Sequence, residues 1–165
     1  MNKKISFIDE LSLFFEQYKI NSEDTCIVGS SVLALYNIRK NNDIDLIITN
    51  KIRNSFFGTD KSIKVSKNIE IVPKNWLNIH NDFDDIIINN PKYHHKYHDY
   101  KVARIELIFL HKSFSKKNKA ISDRKLLKSY IKRSHCFNKR MLYFLFFQYK
   151  VNYLLTKIKK MTNYG

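Results

Sequence analysis

The sequence predicts an α+β domain, a mixed β-sheet flanked by helices with a helical C-terminal extension. Two observations predict it. Apolar periodicity alternates between helical and extended along the first two-thirds of the chain, then becomes helical throughout. Composition fits one folded domain: 165 residues, 44% hydrophobic and 27% charged, with only 3 Gly and 2 Pro.

The elements follow in order. Ser6 to Tyr18 reads as an amphipathic helix, with Ile8, Leu11, Phe15 and Tyr18 on one stripe and Ser6 and Asp9 resembling a cap. Asn21 to Asp24 is a polar break. Thr25 to Val28 is a short buried strand, ended by Gly29-Ser30, and Ser31 to Ile38 resumes a helical pattern. Arg39 to Asn42 is a polar turn before a second strand, Ile44 to Thr49, with Asp43 and Asp45 at its start. Ile63 to Val72 is β-branched, either one strand or a hairpin turning at Lys67-Asn68. Trp76 to Ile88 reads as loop plus a short helix, and the histidine-rich Asn89 to Asp99 as loop. Tyr100 to Leu110 reads as a strand with Val102, Arg104, Glu106, Ile108 and Leu110 on one face. Helical pattern runs from Asp123 onward and includes a long aromatic stretch, Met141 to Leu155.

The formal net charge is +15, from 30 Lys and Arg against 15 Asp and Glu. Such a surplus attracts polyanions: nucleotides, nucleic acid or acidic headgroups. It is lopsided, because from Leu107 to Gly165 the only acid is Asp123. Cys26 and Cys136 lack metal-ligand spacing and read as free thiols in a reducing compartment. Lys3-Lys4 is followed by Asp9, Glu10 and Glu16 rather than by an apolar core, so no secretory signal is expected. Met141 to Leu155 is too short to span a bilayer. These features predict a cytoplasmic protein.

Three pieces carry chemistry. Gly29-Ser30-Ser31 joins a strand to a helix, where glycine permits close approach and helix amides face an incoming anion. Asp43 and Asp45, two apart on a strand, project to the same side, where paired anions favour a divalent cation. Glu106, inside an apolar strand, needs a metal or a cation, Arg104 being one candidate.

Together, Gly29-Ser30, then Asp43-x-Asp45 beginning thirteen residues after Ser30, then Glu106 on a later strand resemble the nucleotidyltransferase superfamily related to DNA polymerase beta, over residues 25–110. A narrower resemblance, to about residue 131, is to small nucleotidyltransferase-like proteins encoded in bacterial surface-polysaccharide and related loci. In those, a lysine ends the strand of the third acid and a basic-acidic pattern opens a helix. Leu107 to Lys112 and Ser122 to Leu127 occupy those places here.

The resemblance implies a nucleotidyltransferase fold over residues 1–131, followed by a basic, aromatic helical extension over 132–165. It implies that Asp43, Asp45 and Glu106 hold two magnesium ions and that Glu106 helps deprotonate an acceptor hydroxyl. Gly29, Ser30 and Ser31 would bind the phosphates of a nucleoside triphosphate such as ATP. Lys112 would neutralise leaving pyrophosphate, with Asp123 close to the cleft. The acceptor is open among a small molecule, a protein hydroxyl and an RNA end. The competing reading is a non-catalytic nucleotidyltransferase-like module that binds nucleotide or RNA, as one half of a toxin–antitoxin pair.

Two further features have ordinary explanations. His94 and His98 are four apart, but in a segment read as loop they suit substrate contact or a polar surface better than zinc. The C-terminal mixture of lysines and aromatics suits a packed helix pair with lysines in solvent, RNA contact, or an acidic membrane surface.

Overall fold

A computed structural model describes residues 3–41, 43–80, 82–134 and 137–162; Asn42 of the expected turn and Cys136 lie outside them. Two of the most apolar segments pair at the centre. Strand β1 (Thr25–Val28) runs antiparallel to β2 (Ile44–Ile48), in register from Thr25 opposite Ile48 to Val28 opposite Asp45. Every residue of β1 is buried, and on β2 only Asp45 is not. Strands covered on both faces lose the polar alternation of a half-solvated sheet.

The sheet grows outward on both sides, in the order β3-β4-β2-β1-β6-β5. Strand β4 (Ile69–Ile71) lies parallel to β2, and the short β3 (Ile63–Lys64) folds back antiparallel on β4. The region therefore adopts the hairpin alternative, which turns where expected. Helix α1 (Lys3–Tyr18) secures that turn, since Glu10 accepts hydrogen bonds from Ser66 Oγ and Asn68 Nδ2, each at 2.9 Å. At its other side Ser12 Oγ meets the Tyr100 hydroxyl at 2.8 Å, and Leu11 and Phe14 are buried beneath. The helix starts at Lys3, so Ser6 lies within it rather than capping it.

Short helices connect the strands. α2 (Gly29–Leu35) follows β1 directly, and α3 (Asn50–Ile52) continues into a π-helical turn at Arg53–Phe57. The buried Arg53 guanidinium donates to the carbonyls of Thr59 (3.1 Å), Lys61 (3.2 Å) and Val72 (2.6 Å), pinning the loop before β3 to the end of β4. α4 (Phe83–Asn89) is the short helix expected within 76–88 and packs on β1 and β2.

Two stretches depart from the sequence reading. The segment expected to be a histidine-rich loop contains a strand, β5 (His94–Tyr97), antiparallel to β6 (Tyr100–Ala103). The two-residue link His98-Asp99 works because His98 takes φ 51, a left-handed conformation in which His is over-represented. β5 is an edge strand made of polar and aromatic residues, with His94 buried and Lys96 exposed, so it lacks the apolar run that marks a strand.

The second departure concerns Glu106. The strand expected from Tyr100 to Leu110 ends at Ala103, and α5 (Ile105–Phe114) begins after Arg104. Ile105, Leu107, Ile108 and Leu110 are all buried. A short helix apolar on nearly every side shows no helical stripe and imitates a buried strand. Glu106 therefore sits in the first turn of a helix, buried, and accepts a hydrogen bond from the Asn138 N–H.

α6 (Asn118–Arg133) starts earlier than the pattern at Asp123, and α7 (Lys139–Thr162) closes the described chain. Asn138 caps α7 through Oδ1, which accepts from Met141 N–H at 3.0 Å. A carboxylate against this N-terminus compensates the helix's positive end. The boundary expected after residue 131 falls in the last turn of α6, and α7 buries Met141 and Leu145 in the shared core. Glu106→Ala is expected to lower unfolding free energy by about 2 kcal/mol, read by urea denaturation, because the first turn of α7 loses a buried, charged acceptor.

Candidate functional site

The site begins where β1 ends. Gly29 takes φ +64, a backbone conformation that costs a side-chain-bearing residue strain. Space is the harder constraint. A Cβ built on Gly29 would lie 2.1 Å from Asp45 Oδ2 and 2.9 Å from Asp45 Cβ. The glycine is thus the gap into which the Asp45 carboxylate fits, and there the Ser30 N–H donates to Oδ2 at 3.1 Å. That amide, expected to face a phosphate, is committed to the aspartate instead.

Ser31 locks the same corner. Its hydroxyl donates to the Asp43 carbonyl at 3.1 Å and accepts from the Asp45 N–H at 2.8 Å. Ser31 is therefore a strut that fixes the backbone between the two aspartates. Asp43, just before β2, is exposed, while Asp45 is partly buried.

Glu70 is a carboxylate that the sequence pattern did not single out. It stands on β4 directly across from Asp45 in a parallel, in-register pair, so both side chains leave the same face. Neighbouring strands are about 4.8 Å apart. Lys64 on β3 is in turn opposite Glu70, so this face runs Asp45, Glu70, Lys64 across three strands. A signal existed in the chain: Ile69-Glu70-Ile71 places an acid between two β-branched residues.

Asp45 registers this company. Burial pushes its carboxyl above the usual range; the Ser30 amide opposes that, Glu70 and Asp43 add to it, and Lys112 opposes it. Among the described residues, no three His, Cys, Asp or Glu side chains converge closely enough, as they stand, to grip one metal ion. Asp45 and Glu70 occupy facing positions on neighbouring strands, and Asp43 precedes Asp45 by two residues.

The cationic side lies on the helices. Lys112, buried near the end of α5, donates to Ser30 Oγ at 3.2 Å and pairs with Asp123 Oδ2 at 3.0 Å. Arg39 holds the other side of Asp123 through Nε at 2.7 Å. Burial alone would raise the Asp123 carboxyl, but hydrogen bonds from Arg39 and Lys112, with their charges, hold it below its usual value. The chain Arg39–Asp123–Lys112–Ser30 aims an ammonium at the Gly29-Ser30 corner. Lys112 lies on helix α5 rather than at the end of a strand, and Asp123 lies inside α6 rather than at its opening; Arg39, which joins them through Asp123, is revealed only by the fold.

Among the described residues the histidines do not form a metal-binding cluster. His94 Nδ1 contacts the Ile87 carbonyl at 2.8 Å, and His95 packs edge-on against Tyr36. Comparison with protein-family models, curated proteins and solved structures found no match for this chain.

Two outcomes follow. Gly29→Ala is expected to destabilise the fold by about 2 kcal/mol or more in urea unfolding, through backbone strain and displacement of Asp45. Asp45→Asn is expected to raise the melting temperature at neutral pH without divalent cations. The sign follows from linkage. A carboxyl raised in the folded state binds protons there more readily than in the unfolded chain, so it costs stability once pH rises through its folded value. Asparagine removes that charge, and the gain should vanish below the ordinary aspartate range.

Proposed function

We propose that this chain is a metal-dependent nucleotidyltransferase, moving a nucleotidyl group from a nucleoside triphosphate to an acceptor hydroxyl. The observation that carries the reading is the Asp45 carboxylate seated in the Gly29 gap beside Asp43 and Glu70. Nothing in sheet packing requires three acids at one corner, and their repulsion opposes folding unless a cation joins them.

Asp43, Asp45 and Glu70 would hold magnesium there, with Glu70 in the part first given to Glu106. Magnesium so bound supplies charge stabilisation for a triphosphate and for the attacking and leaving oxygens. The residues of the chain do the rest. Gly29 leaves room for Asp45 to keep its orientation. Ser31 fixes the spacing of the two aspartates through the backbone. Lys112, held by Asp123, offers its ammonium to a phosphate, and Ser30 Oγ lies within its reach to share the load. Lys64, across from Glu70, is a second cation for the triphosphate at the open edge of the sheet. A Glu70 carboxylate oxygen is the acceptor for the hydroxyl proton of the incoming group.

The test is transfer of labelled nucleotide from triphosphates into RNA, protein and small-metabolite fractions, with and without magnesium. Asp45→Asn and Glu70→Gln are expected to lower transfer at least about a hundredfold, while Glu106→Gln stays within about threefold. Undiminished transfer in the first two variants removes the reading. Magnesium-dependent triphosphate binding by calorimetry, with no transfer to any fraction, would point to the non-catalytic module instead.

A further inference from the structure

Helix α7 has two apolar sides, and the body of the protein uses one. On that side Met141 and Leu145 are buried, Tyr149 stacks on Phe114 at 3.6 Å, and Asn152 Nδ2 donates to the Asn78 carbonyl at 3.1 Å. At about 100° per residue the opposite side carries Tyr143, Phe147, Val151 and Leu154, bordered by Phe144 and Leu155. These six are exposed, Tyr143 at 73% and Phe147 at 66%. A helix side facing water is normally polar, so this one is built for a partner.

Charge selects the partner. α7 contains no acid. Lys139, Lys150 and Lys157 fall within about 20° of one line along one border of the stripe. On the other border, Lys92 Nζ lies 5.3 Å from the centre of the Phe144 ring. A second copy would set this lysine row against its own image with no acid on α7 to answer it. RNA could take the lysines and stack on the aromatics, but offers no apolar phase to Val151, Leu154 and Leu155. An acidic bilayer answers both halves of the pattern: acyl chains receive the stripe, and the lysines reach up to the phosphates. Among the described residues no helix is long and apolar enough to cross a membrane, which leaves α7 lying along the surface.

We infer that α7 docks this protein on an acidic lipid surface, its outward stripe at the headgroup–acyl boundary and its lysines on the headgroups. The full chain is to be floated with vesicles of phosphatidylcholine alone and of phosphatidylcholine with phosphatidylglycerol in a two-to-one ratio. Binding is expected on the mixed vesicles and little on the neutral ones. Lys150→Gln with Lys157→Gln should weaken it roughly thirtyfold at low salt, about fivefold per lysine. Phe147→Ser with Leu154→Ser should weaken it at low and high salt alike. All four positions are exposed, and an unchanged melting temperature separates lost binding from lost folding. Equal binding to both vesicle types, binding to neither, or variants that bind like the parent would overturn the inference. So would retention by RNA or dimerisation in light scattering without vesicle binding.

Discussion

The contact between Gly29 and Asp45 sets the rest of the molecule in place. An aspartate on a central strand of a sheet is normally costly, since burial penalises its charge. Here the cost is met locally, by a missing side chain on the facing residue and one amide from the next. Because β1 and β2 run antiparallel, the end of one and the start of the other share an edge of the sheet. The turn into α2, the spacing of the aspartates and the placement of Ser31 all follow from holding that edge closed.

Around the corner, acids and bases come from different levels of structure. The carboxylates of Asp43, Asp45 and Glu70 are carried by strands or their immediate starts, where register determines position to within a fraction of a strand spacing. The ammonium of Lys112 is carried by a helix and steered by Asp123, which Arg39 steadies in turn. The corner thus has a negative half fixed by strands and a positive half braced by an ion pair.

Much of this was legible in the chain, and the failures share a cause. Gly29-Ser30 and Asp43-x-Asp45 are local patterns, and each lies where its pattern placed it. Glu106 and Glu70 are both acids inside apolar runs, and the runs alone do not say which belongs to the sheet. Choosing needs the parallel pairing of β4 with β2, a non-local fact, and β4 is only three residues long. The run at Ile105–Leu110 looked extended because its burial on nearly every side erased the helical stripe. β5 hid behind the opposite difficulty, polar residues on an edge strand. Arg39 was invisible for a simpler reason: its partner lies 84 residues away.

The pairing of Asp123 has a consequence for how ligands arrive. It is the one acid between Leu107 and the end of the chain, and it is buried and neutralised by Arg39 and Lys112. Among the described residues, this last third of the sequence therefore shows solvent no acidic side chain. Its long-range field is positive and unbroken, a funnel whose reach is set by the Debye length of about 8 Å at physiological ionic strength. Anions of any size are drawn toward this side before any specific contact forms, and the rate of their capture belongs to the salt as much as to the protein.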